Sequence, residues 1–225
     1  MFVFLDIGFT MIGGPSVGPA GWLMRQLDLP PEAKKNLQAW LFNTPLTGPD
    51  TLADQLSQTF DRDPASTRAV VAGFWEQQIQ DAYELPGARA FLASLEAERI
   101  PHAFITNIWT PFLLGFARVF PEVYERVPIF ASCRLGIAKP NEAIYQHALD
   151  AAGVWPEEAV MIGDTFAMDI QPAKRLGIKT IWLLHRPDKE REDLVALLNG
   201  ERARPDLTLA GIDALQVDHL RSMFA

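Results

Sequence analysis

The chain contains a single cysteine, Cys133, so no disulfide can form within it, and such sparse thiol usage fits a reducing compartment. Long apolar runs are missing too. The N-terminal stretch Phe2-Val3-Phe4-Leu5 is too short for a membrane span or a signal peptide, and no basic region precedes it. There is no repeat and no low-complexity tract, and the 15 glycines and 17 prolines are scattered along the chain. Positive charge is in the minority, 20 Lys and Arg against 28 Asp and Glu, for a formal net charge of −8. That balance argues against binding DNA or RNA through a basic surface. It leaves room for a small phosphorylated metabolite, which needs only a local positive pocket. The expectation is a soluble cytoplasmic protein without nucleic-acid or membrane partners.

What is present is ample core material. With 225 residues, 48% of them hydrophobic, the chain can form one domain with an insertion or two small domains. The most informative stretch is Ala159-Val160-Met161-Ile162-Gly163-Asp164. Its apolar residues predict a buried strand, and a Gly-Asp pair follows where that strand ends and a helix begins. Asp169 lies five residues further on. Ligands of parallel α/β sheets collect beyond the carboxyl ends of the strands, so Asp164 stands where chemistry is expected. Phe2 to Leu5 predicts a second strand, followed at once by Asp6-Ile7-Gly8-Phe9-Thr10. Two such carboxylates on neighbouring strands repel unless a cation lies between them, which points to a divalent metal site.

Between the first strand and the rest, residues 11 to 19 hold Gly13, Gly14, Pro15, Gly18 and Pro19 and predict a mobile connection. Residues 20 to 84 then predict helices without strands, over Pro31 to Asn43, Pro49 to Phe60 and Pro64 to Tyr83. Asp50 is a candidate cap for the second of these. The aromatics Trp22, Trp40, Phe42, Phe74 and Trp75 are assigned to the core of this block, and Lys34 and Lys35 to a solvated face. From Leu85 onward strands and helices alternate: strands at His102 to Ile105, Pro128 to Ala131, Ala159 to Gly163, Thr180 to Leu184 and Leu207 to Leu209, with helices between them and a last helix over Ile212 to Met223. The pattern predicts an α/β fold, a doubly wound parallel sheet with helices on both faces and a helical insertion.

Asp6, Thr106-Asn107, Lys139 and Asp164 with Asp169 appear in that order, each at or just after a predicted strand end. This order, with Gly136-Ile137-Ala138-Lys139-Pro140 and Gly163-Asp164 through Asp169 as its most specific parts, closely resembles the four motifs of the haloacid dehalogenase-like hydrolases. The members of that family are mostly Mg²⁺-dependent phosphatases with a Rossmann-like core. The resemblance covers essentially the whole chain. It implies a core at 1–13 and 85–225 and a helical type 1 cap at 14–84. It also implies that Asp6 is the nucleophile, taking the phosphoryl group as an aspartyl-phosphate. Thr106 and the Asn107 backbone N–H would hold the phosphoryl oxygens, and Lys139 would keep Asp6 ionised and offset charge on the transferring group. The resemblance further places Mg²⁺ on Asp6, the Gly8 carbonyl and Asp164, with Asp169 as a second carboxylate that orients Lys139 or metal-bound water.

One departure stands out. Phosphatases of the family typically carry Asp-x-Asp-Gly-Thr in the first motif, and Gly8 stands in place of the second Asp, the usual general acid and base. Such assistance is typically worth ~10²–10⁴ in rate. Three readings follow: a slow or leaving-group-restricted phosphatase; a phosphonatase-like carbon–phosphorus hydrolase using Lys34 or Lys35 as a Schiff base; and a phosphate-binding protein with little turnover. Haloacid dehalogenation itself is disfavoured, because those relatives need no metal and do not keep the Gly163-Asp164 pair.

Overall fold

In a computed structural model describing residues 1–225, the chain begins with β1 (Phe2–Leu5) and β2 (Ile12–Gly13). Four helices come next, α1 (Pro19–Gln26), α2 (Ala33–Asn43), α3 (Pro49–Phe60) and α4 (Pro64–Gln80), then β3 (Tyr83–Glu84). The alternating part follows with α5 (Ala88–Ala97), β4 (His102–Thr106), α6 (Thr110–Val119), α7 (Pro121–Arg126), β5 (Ile129–Ala131), α8 (Ser132–Leu135) and α9 (Glu142–Ala152). It ends with β6 (Ala159–Gly163), a π-helical turn Phe166–Ile170, α10 (Gln171–Arg175), β7 (Lys179–Leu183), α11 (Arg191–Leu198), β8 (Leu207–Leu209) and α12 (Val217–Phe224).

Six strands form one sheet in the order β5-β4-β1-β6-β7-β8, and every neighbouring pair is parallel. The expected doubly wound α/β fold is therefore present. Strand alternation sends successive side chains to opposite faces. Val3, Leu5, Val160 and Ile162 pack on one face with Phe91, Leu95, Phe116 and Leu220 of α5, α6 and α12. Phe4, Met161 and Ile105 pack on the other with Ile144, Tyr145 and Leu149 of α9. With both faces covered, the central strands read as continuous apolar runs rather than alternating ones. No helix is long and apolar enough to cross a membrane.

The direction of connection reverses at β1, which lies between β4 and β6. The gap beyond the carboxyl ends of β1 and β6 is thus the topological switch point, where open α/β sheets bind ligands. The helices α1 to α4 share a separate apolar cluster built on Leu23, Leu37, Leu41, Leu52, Leu56 and Phe74, which Trp109 joins from the sheet side. Trp22 stacks on Phe74 with ring centres 3.9 Å apart.

Several local expectations need correction. Residues 11–13 are buried, and Ile12–Gly13 pairs antiparallel with Tyr83–Glu84, so the start of the expected mobile connection is a strand. The helix beginning at Pro64 stops at Gln80 because the chain then enters β3. Asp50 does not cap α3; Gly48 occupies the cap position without a side-chain bond, and Asp50 lies in the first turn. The expected C-terminal helix is split into a 3₁₀ turn Ile212–Ala214 and α12.

Candidate active site

Asp6 continues the β1–β6 ladder, its N–H donating to the Ile162 carbonyl at 2.9 Å. That bond aligns the end of β1 with Gly163 and Asp164 at the end of β6. Carboxylate oxygens of Asp6, Asp164 and Asp169 all lie within 4.8 Å of one another, and all three residues are buried. Three carboxylates from two strand ends and a following turn therefore meet at the switch point.

Lys139 reaches this cluster from the loop before α9, with 4% of its surface exposed. Its Nζ donates to Asp6 Oδ1 at 2.8 Å, to the Ile105 carbonyl at 2.9 Å and to Asp169 Oδ1 at 2.5 Å. An ammonium has three protons, and all three are engaged. Burial alone would push this lysine down, but the charges of Asp169 and Asp6 outweigh it and hold Lys139 above its ordinary range. Asn107 fixes the lysine's main chain from both sides. Its Nδ2 donates to the Lys139 carbonyl at 2.8 Å, and its Oδ1 accepts from the Lys139 N–H at 2.8 Å.

Asp169 is delivered by the π-helical turn, a local geometry frequent at functional sites. The Asp169 N–H donates to the Thr165 carbonyl at 2.7 Å, and Asp169 Oδ2 accepts from the Thr165 N–H at 2.9 Å. The turn is anchored at Phe166 N–H by Glu190 Oε2 at 2.7 Å and at the Met168 carbonyl by the Tyr145 hydroxyl. Glycine at 163 is what allows this approach, because a Cβ there would overlap the Asp169 carboxylate. Burial pushes Asp169 up to about 6, with Lys139 opposing and Asp6 adding to the shift. Burial, then the charge of Asp169, pushes Asp164 well above the usual carboxylate range despite the opposing Arg186.

Arg186 is a site residue that sequence reasoning missed. Its guanidinium pairs with Asp164 Oδ2 and lies 3.8 Å from the centre of the Phe9 ring. Phe9 itself has φ +56, a left-handed backbone uncommon for a bulky residue and the kind of local strain that gathers at functional sites. Arg186 lies in the loop after β7, which ends at Leu183, whereas Asp6 follows β1 directly, so only a strand-end rule widened to the following loop would have found it.

These groups line a cavity of about 230 Å³ together with Gln38, Phe42 and Gln78 of the helices and Trp109 and Phe112 beside them. Of the residues singled out from the sequence, Asp6, Gly8, Asn107, Lys139, Asp164 and Asp169 line it. Thr106 does not: it is fully buried at the end of β4, and its hydroxyl has no hydrogen-bond partner. Phe42, assigned to the core, is a wall of the cavity. Lys34 and Lys35 are exposed on α2 and are not part of it. Gln78 falls on the buried stripe of α4 with Thr67, Val71, Phe74 and Trp75, a polar residue at an inward position that the periodicity of the helix already marks.

The chain belongs to the haloacid dehalogenase-like hydrolases, whose family model matches residues 28–177. It is 34% identical over 124 residues to a glyceraldehyde 3-phosphate phosphatase of Pyrococcus furiosus, covering 53% of this chain and 50% of that protein. Against a phosphoserine phosphatase of Thermus thermophilus the identity is 32% over 128 residues, covering 53% and 48%. The chain spans about half the length of these curated relatives. The fold is shared with the crystal structure of a HAD family enzyme from Bacteroides thetaiotaomicron in complex with magnesium, at a TM-score of 0.58 and 17% identity, covering 79% of this chain and 90% of that one.

Proposed function

We propose that the chain is a Mg²⁺-dependent phosphoric monoester hydrolase that acts on a small phosphorylated metabolite through an aspartyl-phosphate on Asp6. One observation carries the reading: the buried Lys139 ammonium lies 2.8 Å from Asp6 and 2.5 Å from Asp169, with Asp164 in the same cluster. The activities named for the two curated relatives, both phosphatases, support it.

The donor set fits a hard cation. It is all oxygen, and it places three carboxylates against the two cationic side chains Lys139 and Arg186. Asp6, Asp164 and the Gly8 carbonyl would hold Mg²⁺, which supplies positive charge to the phosphoryl oxygens when bound. Both Asp169 oxygens already accept protein donors, so Asp169 serves to orient Lys139.

In this reading the Lys139 ammonium, 2.8 Å from Asp6 Oδ1, holds that carboxylate in position. The Asp6 carboxylate attacks phosphorus, the ester P–O bond breaks, and water then hydrolyses the aspartyl-phosphate, splitting one difficult displacement into two. The Asn107 backbone N–H, at the cavity wall, holds a phosphoryl oxygen, and the Thr106 hydroxyl one residue earlier would reach one only through a shift that opens the cavity to it. A phosphoryl oxygen reaching Thr106 would satisfy a buried donor that otherwise has no partner. Residues 14–84 act as a cap that excludes water from the core formed by 1–13 and 85–225.

Carbon–phosphorus cleavage through Lys34 or Lys35 finds no support, since both lysines lie outside the cavity. Binding of phosphate with little turnover is favoured by a single feature, Gly8 in place of a second carboxylate. A screen of phosphate esters with Mg²⁺ separates the two remaining readings. The hydrolase releases phosphate from at least one ester, and both Asp6→Asn and EDTA abolish that release. A binding protein gives a calorimetric signal with Mg²⁺ and phosphate and no release from any ester.

A further inference from the structure

A phosphoryl group leaves an alkyl alcohol slowly unless a proton reaches the departing oxygen, whereas weakly basic oxygens leave unaided. The cavity holds only three acids, Asp6, Asp164 and Asp169, and each is paired with Lys139 or Arg186. No histidine, cysteine, tyrosine or fourth carboxylate lines it. The rest of the wall is mostly apolar, with Phe42, Trp109 and Phe112 among its aromatics, and its neutral polar groups include the carboxamides of Gln38 and Gln78 and the Thr165 hydroxyl. Carboxamides can hydrogen-bond a leaving group but have no proton to transfer at neutral pH. Aromatic side chains favour stacking on planar, unsaturated groups.

We infer that the site is matched to phosphates of weakly basic, planar leaving groups, namely aryl, enol or acyl phosphates, and discriminates against alkyl phosphates. The inference rests on the Asp6 reading above. In the first step an Asp6 oxygen forms a bond to phosphorus, and the ester P–O bond breaks with its electron pair departing on the leaving oxygen as phenolate, enolate or carboxylate. In the second step water adds to phosphorus, Asp6 leaves as carboxylate, and the water proton passes to solvent or to the phosphate product. Neither step needs a proton from the cavity wall. Position 8 has room for the missing acid, because a Cβ there would meet only Phe112 Cε1 at 3.7 Å, an ordinary contact.

The test is a series of phosphate esters graded by leaving-group basicity, from nitrophenyl through phenyl to alkyl, assayed with Mg²⁺ against an Asp6→Asn blank. The expected result is a steep fall of kcat/KM, approaching tenfold for each unit of leaving-group pKa, as for departure without proton transfer. Gly8→Asp is expected to flatten the series by raising alkyl esters ~10²–10⁴-fold and nitrophenyl phosphate far less. A shallow series in the unaltered protein, with release still dependent on Asp6, overturns the inference while leaving the phosphatase reading intact. Absence of Asp6-dependent release from every ester overturns the phosphatase reading instead. The slope in the unaltered protein decides the matter even where Gly8→Asp does not fold.

Discussion

Arg186 Nε donates to Asp164 Oδ2 at 3.1 Å, so one oxygen of the carboxylate at the end of β6 is held by an arginine from the loop after β7. The pair joins two neighbouring strand ends. It also places a guanidinium in competition with any cation for Asp164. Arg186→Met is expected to tighten Mg²⁺ binding several-fold. In metal-free protein it should lower stability by roughly 1–3 kcal/mol, because the buried Asp164 loses the hydrogen bonds of a partly exposed partner. Calorimetric titration and thermal melts with and without Mg²⁺ check both. Weaker Mg²⁺ binding in the variant would count against the competition.

Gly163→Ala tests the closest approach in the site. The added methyl overlaps the Asp169 carboxylate and must push it away from Lys139. The expected outcome is a fall in phosphate release of about 10²-fold or more and a stability loss of ~1–3 kcal/mol. An active, fully stable variant would show that Asp169 need not touch the lysine.

Asn107→Ala removes both bonds that clamp the Lys139 main chain. At about 1 kcal/mol net for each hydrogen bond, a loss of roughly 2 kcal/mol is expected in denaturant unfolding. Asn107→Asp keeps the acceptor for the Lys139 N–H and loses the donor to its carbonyl, so it should fall between the two.

The pH dependence follows from the buried acids. Burial raises Asp169 from 3.8 to about 6 and shifts Asp164 in the same direction. The folded protein therefore holds protons that the unfolded chain releases, and this contribution to stability is lost as pH rises from about 4 through 6. Mg²⁺ favours the ionised carboxylates. The increase in melting temperature on adding Mg²⁺ should thus grow between pH 4 and pH 7. An increase that is flat or shrinks across that interval contradicts the shift.

Asp6 and Asp164 were legible because each directly follows an apolar strand, and strand ends can be read from a run of four or five residues. Lys139 needed the family resemblance, since nothing local distinguishes it from an exposed charge. Arg186, in the loop beyond the end of β7, is not legible because a lone arginine in a loop carries no motif. Gln78 is hard to read from the sequence because a polar side chain on the buried stripe of α4 carries no hydrophobic signal of its own. The antiparallel pair β2 and β3 has two residues in each strand, too short for any period. The π-helical turn is likewise set by tertiary anchors, Glu190 and Tyr145, that lie far from it in sequence.

Those two short strands have a mechanical consequence. The chain enters the helical block at Ile12–Gly13 and leaves it at Tyr83–Glu84, and the two crossings are hydrogen-bonded to each other. Any swing of the helices over the aspartates would therefore twist a single ribbon, where two loose tethers would permit tumbling in any direction. Gln38, Phe42 and Gln78 must then approach and withdraw from Lys139 together.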